Sequence, residues 1–126
     1  MTKGSLMIVE DNRELSELYE EMFSRKGFII ICKIHNGKEA VDFYRETTQY
    51  PDVIIMDHRM PLKGGIAASR EILQINPDQK IIFASADGSV RKQVAEMGIL
   101  QFKKKPFTLL FLLQNIEKAI LAPPSE

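Results

Sequence analysis

The stretch Pro51-Asp52-Val53-Ile54-Ile55-Met56-Asp57-His58-Arg59-Met60-Pro61 decides how the chain is read. Val53 to Met56 are apolar throughout rather than at alternate positions, which suits a strand covered on both faces. The run then stops on a carboxylate, Asp57. Similar short runs lie on either side, at Leu6–Val9, Phe28–Ile34, Lys80–Ala84 and Ile99–Phe102.

Helical spacing fills the intervals. After Asn12, a good N-cap, Leu15, Leu18, Tyr19, Met22 and Phe23 recur at the spacing of an inward helix face, and Gly27 supplies the stop. A second helix starts at Asn36-Gly37 and turns Ala40, Val41 and Tyr44 inward. A third runs from Gly65 to Ile75, a short fourth covers Ser89 to Met97 before Gly98, and the fifth starts at Thr108 as N-cap and reaches Leu121. Strands and helices in alternation, with short loops, imply parallel βαβ units with right-handed crossovers. The expectation is a three-layer, doubly wound α/β fold of flavodoxin-like type, with a five-stranded parallel sheet in the order 2-1-3-4-5 and five helices.

Length and composition bound the possibilities. At 126 residues the chain has room for one core, taken as 1–122, with 123–126 as a tail or the start of a linker. Hydrophobic residues at 44% and charged residues at 27% exclude a disordered or fibrous chain. Seventeen basic residues balance seventeen acidic ones. That balance removes the usual argument for direct nucleic-acid or membrane-surface binding. The N-terminus lacks an apolar signal stretch and no run approaches a bilayer span, so the expected location is cytoplasmic. The single cysteine, Cys32, sits in an apolar run and reads as a buried small hydrophobe.

In doubly wound folds the ligand site lies beyond the carboxyl ends of the strands. The first strand ends in Glu10-Asp11, the third in Asp57, the fourth in Ser85-Ala86, and the fifth runs into Lys105-Pro106. Clustered carboxylates repel one another unless a cation neutralises them. All-oxygen ligands that leave room for water suit Mg²⁺. A carboxylate beside Mg²⁺, with a lysine and a hydroxyl at hand, can attack a phosphoryl group.

These residues, in this order and at these separations, resemble the receiver domain of two-component response regulators. The matching pieces are Leu6 to Asn12, Pro51 to Asp57 with Met60-Pro61 and Gly65, Ile81 to Ala86, and Phe102 to Phe107. The resemblance implies that Asp57 is the phosphoacceptor, served by a sensor histidine kinase or a phosphotransfer protein. It implies Mg²⁺ held by Asp11, Asp57 and the backbone carbonyl of Arg59, with Glu10 acting through a water. Ser85 and Phe102 would be the switch residues, Lys105 would pair with the phosphoryl oxygens, and Lys105-Pro106 would be cis. Output would appear on the face of the fourth helix, fifth strand and fifth helix. That face would act on a downstream protein target, on an output domain outside this chain, or in a homodimer. The protein would be a self-modifying switch rather than a turnover enzyme; the alternative is a phosphorylation-independent interaction module.

Several residues depart from the commoner pattern: Glu10 for Asp, Ser85 for Thr, Phe102 for Tyr, and Gly64 where an acid is frequent. None removes an essential group. Arg59 and Asp87, two residues beyond Asp57 and Ser85, would flank the phosphoryl group and tune its hydrolysis, slowing it if they pair. Lys103 and Lys104 suit a protected edge strand. Leu109, Leu112, Leu113, Ile116 and Ile120 form the stripe the sheet should bury. Leu110, Phe111 and Leu121 fall outside it and suggest a partner surface. Two other functions fit poorly. An aspartyl-phosphate phosphatase would want an acid where Arg59 stands, and a flavin carrier would not place Glu10-Asp11 against a phosphate.

Overall fold

In the computed structural model, Val53–Asp57 (β3) forms the middle of a parallel sheet. The structure describes residues 3–85, 88–99, 101–105 and 108–121, with the side chains of 101–104 outside that description. The other strands are β1 (Gly4–Val9), β2 (Phe28–Ile34), β4 (Lys80–Ser85) and β5 (Gln101–Lys104), in the order β2-β1-β3-β4-β5. The helices are α1 (Arg13–Arg25), α2 (Gly37–Glu46), α3 (Gly65–Ile75), α4 (Arg91–Glu96, after a 3-10 turn at Gly88–Val90) and α5 (Leu109–Leu121).

Why each central strand is apolar throughout is visible in the two cores. Met7, Val9, Ile54, Met56, Ile81 and Phe83 face one side, where they meet Ala40, Val41 and Tyr44 of α2 and Ala68 and Ile72 of α3. Leu6, Ile8, Val53, Ile55 and Ile82 face the other, against Tyr19 and Phe23 of α1 and Leu112, Leu113 and Ile116 of α5. Alternate residues of one strand serve opposite layers, so neither face tolerates a polar residue. Each fully buried aliphatic side chain contributes roughly 1.5–3 kcal/mol.

The helix signals act as read. Asn12 Oδ1 accepts from the Leu15 amide at 3.0 Å, and Asn36 Oδ1 accepts from Glu39 at 2.9 Å. Thr108 Oγ1 accepts from the Phe111 amide at 3.1 Å. Gly27 takes φ +99° after α1, which makes it the stop. Cys32 is partly buried against the first core, and burial pushes its thiol pKa up to about 11.

Four expectations are corrected. Strand β5 begins at Gln101 rather than Ile99, because Ile99 is buried and its amide bonds to Val94 O, leaving the ladder to start where Gln101 meets Ile82. The fourth helix is shorter than expected: its first turn is a 3-10 turn, and it ends at Glu96 as the Met97 amide reaches Gln93 O and Val94 O. Strand β1 starts earlier, at Gly4, where Asp52 Oδ2 accepts from the Ser5 amide at 2.8 Å. Leu18 is 43% exposed, because the buried line of α1 runs through Ser16, Tyr19 and Phe23. Among the described residues, no helix is long and apolar enough to cross a membrane.

Candidate functional site

The parallel register brings the acidic strand ends to one rim. Val9 pairs with Met56 and Asp57 with Ala84, so Glu10, Asp57 and Ser85 follow one another across the sheet edge. One carboxylate oxygen each from Glu10, Asp11 and Asp57 lie within 4.8 Å of one another. Glu10 and Asp57 are buried, at 3% and 7% exposure, whereas Asp11 is exposed.

Lys105 sits among them. Its Nζ donates to Glu10 Oε1 at 2.9 Å and lies 3.3 Å from Asp57 Oδ1. The Lys105 amide donates to Ser85 O at 2.8 Å, which ties the lysine to the end of β4. Ser85 itself is buried, one residue beyond the position that pairs with Asp57.

Burial pushes the Glu10 carboxyl above its ordinary value, and the hydrogen bond from Lys105 only partly opposes this. Burial likewise raises Asp57, with Lys105 pulling the other way and Asp11 adding to the rise. For Lys105, burial favours the neutral amine, but Glu10 and Asp57 outweigh it and hold the pKa above the ordinary lysine value. The pocket is therefore a set of carboxylates with more negative charge than one ammonium neutralises. A hard divalent cation fits that donor set.

Two glycines let the loops close around it. A Cβ on Gly65 would fall 2.0 Å from Asp57 O, and the Gly65 amide donates to His58 O at 2.9 Å, so α3 starts directly against the strand that carries Asp57. A Cβ on Gly37 would fall 2.2 Å from Lys63 O, which accepts from the Gly37 amide at 3.0 Å. Gly64, the N-cap of α3, leaves no room to spare either, since its Cβ would lie 3.2 Å from His58 O.

Arg59 is exposed on the loop after Asp57. Other expected site features lie outside the described residues: the side chains of Phe102, Lys103 and Lys104, the whole of Asp87, and the Lys105-Pro106 bond. The backbone of Phe102 is described, and it pairs with Phe83 in β5. On α5, Leu112, Leu113 and Ile116 are buried while Leu110, Phe111 and Leu121 are exposed at 62%, 46% and 85%, as their wheel positions require.

One neighbour of the acidic rim has no mark in the sequence. His35 Nδ1 lies 2.9 Å from Glu10 O. It directly follows β2, a strand whose end carries neither a carboxylate nor a hydroxyl.

A family model described as "Response regulator receiver domain" matches residues 6–117. The chain is 32% identical over 117 residues to chemotaxis protein CheY of Bacillus subtilis, covering 91% of this chain and 96% of that protein. It is 34% identical over 115 residues to CheY of Thermotoga maritima, covering 90% and 94%. With the transcriptional regulatory protein CpxR of Escherichia coli the identity is 31%, over 94% of this chain and 49% of that one. Among solved structures, CheY in the CheX-CheY-BeF3-Mg²⁺ complex of Borrelia burgdorferi superposes with a TM-score of 0.86 at 25% identity, covering 94% of this chain and 90% of that one. The response regulator TrrA of Thermotoga maritima, in complex with Mg²⁺-BeF, superposes at 0.81 and 25% identity, covering 94% and 99%.

Proposed function

The chain belongs to the response regulator receiver domain family, and from that premise we propose that it is a phosphorylation-dependent switch with Asp57 as phosphoacceptor. The observation that carries this is the position of Lys105 Nζ, bridging Glu10 and Asp57 at the end of the central strand. A buried carboxylate at that strand end, beside a fixed ammonium, is a nucleophile with its charge partner already in place.

Asp11 and Asp57 would hold Mg²⁺, with the backbone carbonyl of Arg59 as a third protein ligand and Glu10 acting through a water. The bound ion would supply positive charge for the phosphoryl oxygens during transfer. In the transfer, an oxygen of Asp57 attacks phosphorus, the phosphorus–nitrogen bond of a phosphohistidine breaks, and an acyl phosphate forms. Lys105 then pairs with phosphoryl oxygens instead of Asp57, and Ser85 donates a hydrogen bond to one of them. Phe102 would be the second switch residue, beside Ser85. The donor is a sensor histidine kinase or a phosphotransfer protein. Residues 1–122 make up the receiver and 123–126 a tail or the start of a linker.

The face of α4, β5 and α5 would meet a downstream protein or a second copy; Leu110 and Phe111 are exposed on α5, and Leu110 lies on its α1 side, beside Met22 and Lys26, where it offers a separate apolar contact. Equilibrium sedimentation with and without a phosphoryl analogue tests the homodimer; a monomer in both states removes it. Arg59 and Asp87 would slow hydrolysis by shielding the phosphoryl group, and an unchanged acyl-phosphate lifetime in both Arg59→Ala and Asp87→Ala would overturn that role. The switch itself is tested by intact-mass measurement after incubation with Mg²⁺ and a small phosphodonor. One added phosphoryl group, absent from Asp57→Asn, supports it; no addition from any donor favours a passive interaction module.

A further inference from the structure

Glu10 is fixed at every polar atom. Its amide donates to Ile34 O at 2.9 Å, its Oε1 accepts from Lys105, and its Oε2 accepts from the Asn12 amide at 3.2 Å. The remaining atom, its carbonyl oxygen, lies 2.9 Å from His35 Nδ1. A carbonyl can only accept, so Nδ1 carries the proton and donates. Two residues later, the Gly37 amide donates to Lys63 O across a gap too small for a Cβ. Between them, Asn36 caps α2 through the Glu39 amide, which fixes the turn's own conformation.

The two ends of this three-residue turn thus grip two loops at once. One is the β1–α1 loop, which carries Glu10 and Asp11. The other is the β3–α3 loop, which leaves Asp57 and returns to α3 by way of Lys63. None of the three contributes a carboxylate to the pocket.

We infer that the turn His35-Asn36-Gly37 is a clasp that sets the spacing of the acidic pocket, with His35 as a positioning residue for Mg²⁺ binding. The inference rests on the proposed cation site and adds a residue that acts on it through Glu10. Without the His35 donor, the Glu10 carbonyl loses its partner, and the peptide unit that leads into Asp11 is less firmly fixed, although the Glu10 amide and carboxylate keep their bonds to Ile34, Lys105 and Asn12. Partners that orient metal-bearing residues contribute to affinity without touching the ion.

The experiment is a Mg²⁺ titration of the full chain followed by the amide shifts of Asp11 and Asp57 in two-dimensional NMR. Wild type is compared with His35→Ala, His35→Asn and Gly37→Ala, and circular dichroism confirms folding. His35→Ala should bind Mg²⁺ roughly five- to tenfold more weakly. His35→Asn, whose side-chain amide places an N–H close to the position of Nδ1, should recover affinity to within about twofold of wild type. Gly37→Ala should weaken binding in the same direction by displacing Lys63 O; if it does not fold, the His35 pair still decides. Equal affinity in His35→Ala and wild type, or no rescue by His35→Asn, overturns the clasp while leaving the cation site intact. A wild-type protein whose amides do not respond to Mg²⁺ at all overturns the cation site and the clasp together.

Discussion

Replacing Lys105 with methionine keeps most of the stem and removes the ammonium from between two carboxylates. At an effective dielectric of about 20, attraction at 2.9 Å to Glu10 is worth about 6 kcal/mol, and at 3.3 Å to Asp57 about 5 kcal/mol. These are gross terms, and desolvation of the three groups cancels most of them. Breaking a fully buried pair costs about 3–5 kcal/mol, but the Lys105 side chain keeps 23% exposure, which brings the expected loss to about 2–3 kcal/mol near pH 8. For a domain this size that is a fall of about 8–12 °C in Tm. The pH dependence has a definite sign. Burial already raises Glu10 and Asp57, and Lys105 opposes the rise in both. Without it their folded-state pKa values climb further, so the folded state binds protons more readily than the unfolded chain. The variant is then most impaired where both carboxylates are ionised and recovers as pH falls and they take up protons. Urea unfolding followed by circular dichroism near pH 8 and pH 5 reads this directly. A loss below about 0.5 kcal/mol near pH 8, or a loss equally large near pH 5, would refute the electrostatic account of the pocket.

Other outcomes follow from the same structure. Gly65→Ala, whose Cβ would meet Asp57 O at 2.0 Å, should lower stability by at least about 2 kcal/mol and abolish phosphoryl uptake. Gly98→Ala meets nothing within 4 Å but sits at φ +81°, so a loss of only about 1 kcal/mol with normal uptake is expected, measured by urea unfolding and intact mass. Cys32, with its thiol pushed up to about 11, should react with iodoacetamide near pH 8 at least about tenfold more slowly than free cysteine; an equal rate would show that the thiol is not shielded.

The legible part of the fold came from runs such as Val53 to Met56, where burial on both faces leaves one composition open to the strand. Helix starts were equally legible where one side chain does the capping, as at Asn12, Asn36 and Thr108. Boundaries failed where tertiary packing decides. Ile99 has a strand former's side chain, yet its amide is taken by the end of α4, and Leu18 has a core residue's side chain on the rim of α1. At the site, Glu10, Asp11, Asp57, Ser85 and Lys105 were legible because each ends or follows a strand and carries chemistry. His35 was not, because it acts on a backbone carbonyl, and no side-chain pattern in a sequence marks the partner of a carbonyl. In sequence Gly37 marks a helix start, whereas its lack of a side chain matters for the approach of Lys63, a contact set only when the two loops meet.

Acceptance of a phosphoryl group by Asp57 is read most directly from the intact mass of the protein after incubation with Mg²⁺ and a small phosphodonor such as acetyl phosphate. One added phosphoryl group is expected in the wild type, lost on removal of Mg²⁺ and absent from Asp57→Asn. Addition that persists in Asp57→Asn, or none in the wild type with any donor, would contradict it.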